Sequence, residues 1–163
     1  ESTSANIKKI APQPIKPGGL HEYQWDTKTS WQPFKNSKHW DIFKAFCILV
    51  KIHWIMKRRG IGGILHYIEK YSRKKRLIPD EIEVQTLANT IDAASLIYPK
   101  KTFCLAWAAT FVIIARKKGW DSNLVIGIQS HPFYAHAWVE IDGKVIHDDP
   151  TIAEVLSIIL KTT

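Results

Sequence analysis

The hydrophobic period of this chain changes at Gly119, and that change limits the folds open to it. Over 102–118 the apolar residues Leu105, Ala108, Val112 and Ala115 recur at helical spacing. Thr102 is the expected cap, basic residues fill the last turn, and Gly119 is the stop. After Gly119 the segments 124–129, 133–141 and 144–148 read as strands, with Asp142-Gly143 as a hairpin signal. A short helix is expected over 153–160. Upstream, Pro79 and Asp80 suit the first turn of a helix running to about Leu96, with Ile82, Leu87, Ile91 and Ala94 on one side and Pro99 closing it. Further upstream, Ile42, Phe46, Leu49, Val50 and His53/Trp54 also recur at helical spacing. Helices first and an antiparallel sheet afterwards make an α+β fold, not a βαβ one.

The chain has 163 residues, 45% of them hydrophobic, enough for one domain with a core that needs neither disulfide nor metal. Its two cysteines, Cys47 and Cys104, do not make a disulfide framework, so a reducing compartment is the simpler reading. No segment has the order of a signal peptide, and a cytoplasmic protein is expected. The stretch 41–56 is interrupted by Lys44, Lys51 and His53 and is too short and too charged to span a bilayer. It reads as an amphipathic helix packed on a core, with a membrane-surface helix as the alternative.

Net charge is +8, and the whole excess lies between Lys38 and Arg76, where eleven Lys/Arg face only Asp41 and Glu69. Lys57-Arg58-Arg59 and Arg73-Lys74-Lys75-Arg76 would steer an acidic peptide or an anionic surface, or simply form a solvated helix face. No nucleic-acid recognition motif accompanies them, so nucleic acid is not an expected partner. Gly60-Ile61-Gly62-Gly63 is too short for a phosphate loop and marks a helix break. Residues 1–37, with Pro12, Pro14, Pro17, Pro33 and Gly18-Gly19, read as a Pro-rich arm or linker. The folded domain is then 38–163, divided into a basic helical part, 38–99, and a helix and sheet, 100–163.

The chemistry-bearing candidates converge on the second part. Cys104 falls in the first turn of its helix, where free backbone N–H groups and the helix dipole favour a thiolate. A buried structural cysteine is the plain alternative, and it is the reading given to Cys47, in the middle of an apolar stripe. Among seven histidines, His136 stands inside a strand between Ala135 and Ala137, which leave room for an approaching group. His131 and His147 are expected on loops and the surface. The hairpin returns Asp148-Asp149 alongside His136, supplying a carboxylate to orient the imidazole. A two-residue turn pairs His136 with Asp149; a three-residue loop with a glycine bulge pairs it with Asp148. Asp-Gly suits both.

These residues carry a resemblance. Cys104-Leu105 leading a helix to Lys118-Gly119, then Leu124-Val-Ile-Gly-Ile128, then Phe133-Tyr-Ala-His-Ala-Trp-Val-Glu-Ile-Asp-Gly143 and Val145 to Asp149, resemble the lasso-peptide biosynthesis B protein. That family is transglutaminase-like, with a papain-like cysteine peptidase fold, and the match spans 100–150. The resemblance implies a peptidase that removes the leader from a lasso-peptide precursor, with Cys104 as nucleophile and His136 as base. The family's acid lies twelve residues after the histidine, which selects Asp148. It also implies an ATP-dependent cyclase as partner; no Cys-x-x-Cys or His-Glu-x-x-His spacing holds a metal, and no cofactor is expected. Because 1–37 match nothing in the family and are too short for its fused leader-recognition domain, a separate leader-recognition protein is implied as well. Ala106-Trp107 stands where many relatives place an arginine after Cys-Leu. Two other readings fit the same residues: another transglutaminase-like acyltransferase or amidase, and a non-catalytic basic peptide-binding module of the same fold.

Overall fold

The computed structural model describes residues 7–8, 35–71, 77–100, 102–131 and 133–162. Most of the 1–37 arm and all of Arg73-Lys74-Lys75-Arg76 lie outside the described residues. The architecture is α+β: three long helices followed by a small antiparallel sheet.

Helix α1, His39–Glu69, buries Ile42, Ala45, Leu49, Ile52 and Ile55 before its break and Ile64, Leu65 and Ile68 after it. The break is Gly60, whose φ of 61° and ψ of −158° interrupt the helix where the glycine cluster led us to expect it. The inward face is rotated from the expected one. Leu49 and Ile52 point to the core, so Val50 and Trp54 are exposed. Cys47, expected as a structural core residue, is exposed too.

Helix α2, Glu81–Ile97, starts on a capping box: Asp80 accepts the Glu83 N–H at 2.6 Å and Glu83 reaches back to Asp80. Leu87, Ile91 and Ala94 are buried as expected, whereas Ile82, one residue past the first turn's start, is exposed. Helix α3, Cys104–Lys117, is capped by the backbone of Phe103, not by Thr102, and has no side-chain cap. Its burial is not a stripe but continuous over Ala108, Ala109, Thr110, Phe111, Val112 and Ile113, the signature of a core helix. Arg116 is tolerated in this setting because its guanidinium donates to Ser122 O and Thr162 Oγ1, both at 3.1 Å.

Strands β1 (Ile7–Lys8), β2 (Ser122–Gln129), β3 (Tyr134–Ile141), β4 (Lys144–Ile146) and β5 (Ser157–Thr162) form one antiparallel sheet in the order β1-β5-β2-β3-β4. The helix expected over 153–160 is shorter: α4 is only Ile152–Val155, and β5 then pairs with β2. Ile158, Ile159 and Thr162 are β-branched, and the open edge of β2 offered them ladder hydrogen bonds that a second helical turn would have forgone. The expected strand 144–148 also stops early, at Ile146.

The helices pack with Leu124, Ile126, Ala137, Val139 and Ile141, while Val125, Trp138, Ile152 and Leu156 form a second, smaller core. Among the described residues no helix is long and apolar enough to cross a membrane. At Gly127 a Cβ would lie 2.8 Å from Leu156 Cβ and 2.8 Å from the Trp138 ring, both fully buried. Neither neighbour can swing aside, so Gly127→Ala is expected to lower stability by about 1–3 kcal/mol in chemical denaturation; an unchanged midpoint would show that the second core is looser than its distances imply.

Candidate active site

Continuous burial of α3 fixes where its amino terminus points, and Cys104 is the first residue of that helix. Strand β4 covers β3 only over Val139–Ile141, so its ladder ends before Ala137 and His136 are reached. Cys104 comes to this stretch, where the His136 ring and the backbone N–H groups of Ala137 and Leu105 act on its thiol in favour of the thiolate. Partial desolvation pushes the thiol up. The His136 ring and its charge, with the two backbone N–H groups, outweigh it and hold Cys104 below the usual thiol range.

His136 is buried, 4% exposed, in the middle of β3. Tyr134 and Trp138, two residues to either side, place their rings nearly parallel to the imidazole at 6.2 and 6.3 Å, which fixes its plane along the strand. Its Nε2 meets Asp148 Oδ2 at 2.6 Å. A carboxylate accepts, so Nε2 carries the proton and Nδ1 is the nitrogen left to serve the thiol. Burial alone would lower the His136 pKa. Hydrogen bonds and charge from Asp148 and Cys104 reverse that and push it up to about 9. A lowered thiol facing a raised imidazole favours the thiolate–imidazolium form of the pair.

The hairpin itself takes the two-residue form. Ile141 pairs with Lys144, Glu140 with Val145 and Val139 with Ile146, and both turn residues have positive φ, Asp142 at 49° and Gly143 at 75°. Continued for three more residues, this register would set Asp149 opposite His136. It does not continue. His147 adopts a left-handed φ of 57° and the ladder ends at Ile146, which turns the next side chain, Asp148, toward the imidazole. Asp149 instead accepts from Thr151 N at 2.8 Å and Thr151 Oγ1 at 2.7 Å, while its own N–H donates to Asp148 Oδ1 at 2.9 Å. Asp149 thus ties the Asp-Pro-Thr turn and holds the far oxygen of Asp148.

His147, expected at the surface, is half-buried, its side chain 9% exposed. Its Nε2 lies 3.0 Å from Asp92 Oδ2, and its ring stacks on Trp107 at 5.2 Å and 12°. Trp107 donates Nε1–H to the other oxygen, Asp92 Oδ1, at 2.8 Å. Asp92 and Trp107 were missed in the sequence. The available signal was an aspartate set in the apolar run Ile91-Asp92-Ala93-Ala94 of α2 and an indole one turn after Cys104. Among the described residues no three His, Cys, Asp or Glu side chains converge as metal ligands.

Comparison with known proteins gives two matches. Residues 46–160 match the transglutaminase-like superfamily. The chain is also 30% identical over 134 residues to the microcin J25-processing protein McjB of Escherichia coli, an alignment covering 78% of this chain and 62% of that protein. This chain therefore spans less than two thirds of that relative's length. No solved structure matches.

The hydrogen bond to Asp148 gives a direct check on the geometry. In an NMR titration of the imidazole shifts, Asp148→Asn should bring His136 down from about 9 toward its ordinary value, because the carboxylate that favours the imidazolium is gone. Asp149→Asn should leave that titration in place.

Proposed function

The chain belongs to the transglutaminase-like superfamily, and from that premise we propose that it is a cysteine peptidase that removes the leader from a lasso-peptide precursor. The observation that carries this reading is a buried imidazole, His136, that Asp148 holds at 2.6 Å and that lowers the pKa of the Cys104 thiol. Likeness to a microcin J25-processing protein supplies the substrate class.

In this reading Cys104 Sγ attacks the carbonyl carbon at the junction of leader and core. The tetrahedral oxyanion forms beside the amino terminus of α3, where the Cys104 N–H is a natural donor. Collapse breaks the C–N bond, and imidazolium His136 gives its proton to the departing amine, the new amino terminus of the core. Water then adds to the thioester, its proton passes to His136 Nδ1, and the leader leaves as a carboxylic acid while the thiolate is restored. Asp148 keeps Nε2 protonated and stabilises the imidazolium throughout. The partners in this reading are the precursor's leader region, a separate leader-recognition protein and an ATP-dependent cyclase, in a cytoplasmic setting that keeps the thiol reduced.

The test is mass spectrometry of a lasso precursor incubated with this protein and its leader-binding partner. Wild type should yield leader and core whose masses sum to the precursor plus one water; an amine-crosslinked product would instead make it an acyltransferase. Cys104→Ala should be folded and inactive, whereas Cys47→Ala should cleave normally, since Cys47 is exposed on α1 and not at the start of α3. Cleavage retained in Cys104→Ala would falsify the nucleophile assignment. Asp148→Asn should lose orders of magnitude in turnover, with Asp149→Asn close to wild type.

The pH dependence follows from the two shifts. Cys104 is lowered, so kcat/KM should already be rising below the free-thiol value of about 8.5. His136 is raised, so its proton and with it the leaving-group acid are lost only as pH climbs through about 9. A profile that begins to rise only near 8.5 would mean the two groups do not pair.

A further inference from the structure

We propose that Asp92 is a positioning residue for the peptidase: through His147 it aims Asp148 at the catalytic imidazole. The inference rests on the functional reading above for its purpose, but not for its geometry.

Three observations meet at this point. A two-residue turn sets a register in which the wrong aspartate, Asp149, would face His136. A single left-handed residue, His147 at φ 57°, ends that register and turns Asp148 inward. That conformation is sparsely populated for a residue with a Cβ and persists where surrounding structure over-determines it. Here the surroundings are explicit. Asp92, 4% exposed on α2, faces His147 Nε2 at 3.0 Å with one oxygen and accepts from Trp107 Nε1 at 2.8 Å with the other. The Trp107 indole, one turn after the nucleophile on α3, lies flat against the His147 ring. One carboxylate thereby joins the helix that carries Cys104 to the residue immediately before Asp148. Both halves of the triad are referred to the same buried anchor.

Asp92 reaches Trp107 and His147, and it acts on His136 through His147 and Asp148. The groups that face His136 are Cys104 from α3, Asp148 after β4, and the Tyr134 and Trp138 rings of β3. Loss of the anchor should act on this set as loss of Asp148 does. The imidazolium is then less favoured and the thiolate forms at higher pH.

The test is the pH profile of iodoacetamide alkylation at Cys104, in the full chain carrying Cys47→Ala so that one thiol reacts. It needs no precursor, so it stands even if the peptidase reading fails. Asp148→Asn should move the midpoint of thiolate formation up by about one pH unit or more. Asp92→Asn should move it the same way, and Asp92→Asn with Asp148→Asn should move it no further than Asp148→Asn alone, because both changes break one chain of contacts. Thermal unfolding is measured beside each profile. If Asp92→Asn does not fold, His147→Val carries the same test, since a β-branched residue disfavours positive φ, and His147→Asn, which tolerates that φ and keeps an N–H for Asp92, should restore the parent midpoint. A folded Asp92→Asn that melts lower but keeps the parent midpoint would make Asp92 merely structural and overturn the proposal. So would shifts that add in the double variant.

Discussion

Everything in this site depends on the burial of α3. A helix enclosed on nearly all sides between α1, α2 and the sheet cannot slide or roll without opening cavities, and interiors packed at crystal density resist that. Alanines at 108, 109 and 115 keep its surface flat enough for close approach, and Phe111 fills the space they leave. The consequence is felt at its amino-terminal end, which is not enclosed. Cys104 is exposed, yet its Cα is fixed by residues one to three turns away. A nucleophile needs this combination of an accessible atom on an immobile stem.

The sheet supplies the complementary surface by leaving an edge incomplete. Had β4 continued to Asp148 as a regular strand, its backbone would have covered the stretch of β3 where the Cys104 sulfur meets the Ala137 N–H. The early stop at Ile146 frees that N–H for sulfur. It also allows the following residue to leave the plane. Two adjacent histidine–aspartate pairs result, His136 with Asp148 and His147 with Asp92, and they differ in neighbours. The first faces a thiol, and the carboxylate favours its imidazolium form; the second faces an indole and sits against two helices. In the proposed reading the first serves the chemistry and the second holds the backbone that presents it.

Much of this was legible in the residues. Helix α3, its stop at Gly119, the β3–β4 turn and the placement of Cys104 at a helix start all follow from local signals: helical spacing, a glycine stop and an Asp-Gly turn, though not from the expected Thr102 cap. The capping box of α2 was half read, with Asp80 placed in the helix, not before it. What failed has a common cause. Strand β5 is a six-residue segment whose partner, β2, lies some thirty residues earlier, and no local pattern records that pairing. The exposed face of α1 was misjudged because Trp54 and Val50 are as apolar as the residues that replace them in the core, and only the neighbours α2 and α3 decide which side turns inward. Asp92 and His147 look like surface residues in a sequence because a buried polar pair is recognisable only when both members are seen together.

The choice between Asp148 and Asp149 shows where local rules stop. Turn geometry was derivable, and the two-residue form was one of the two weighed, yet that form by itself points to Asp149. Register arguments assume that a strand persists, and this one is stopped from both sides. Pro150 lacks an N–H and cannot extend a ladder, so the chain after Ile146 had no stable strand to continue into. Asp149 takes up that role as the acceptor for Thr151, starting the turn that leads through α4 to β5. With Asp149 committed to the turn and His147 committed to Asp92, the geometry leaves Asp148 as the side chain between two anchored neighbours. Its direction is set by what those neighbours cannot do, and the 2.6 Å contact with His136 is the result.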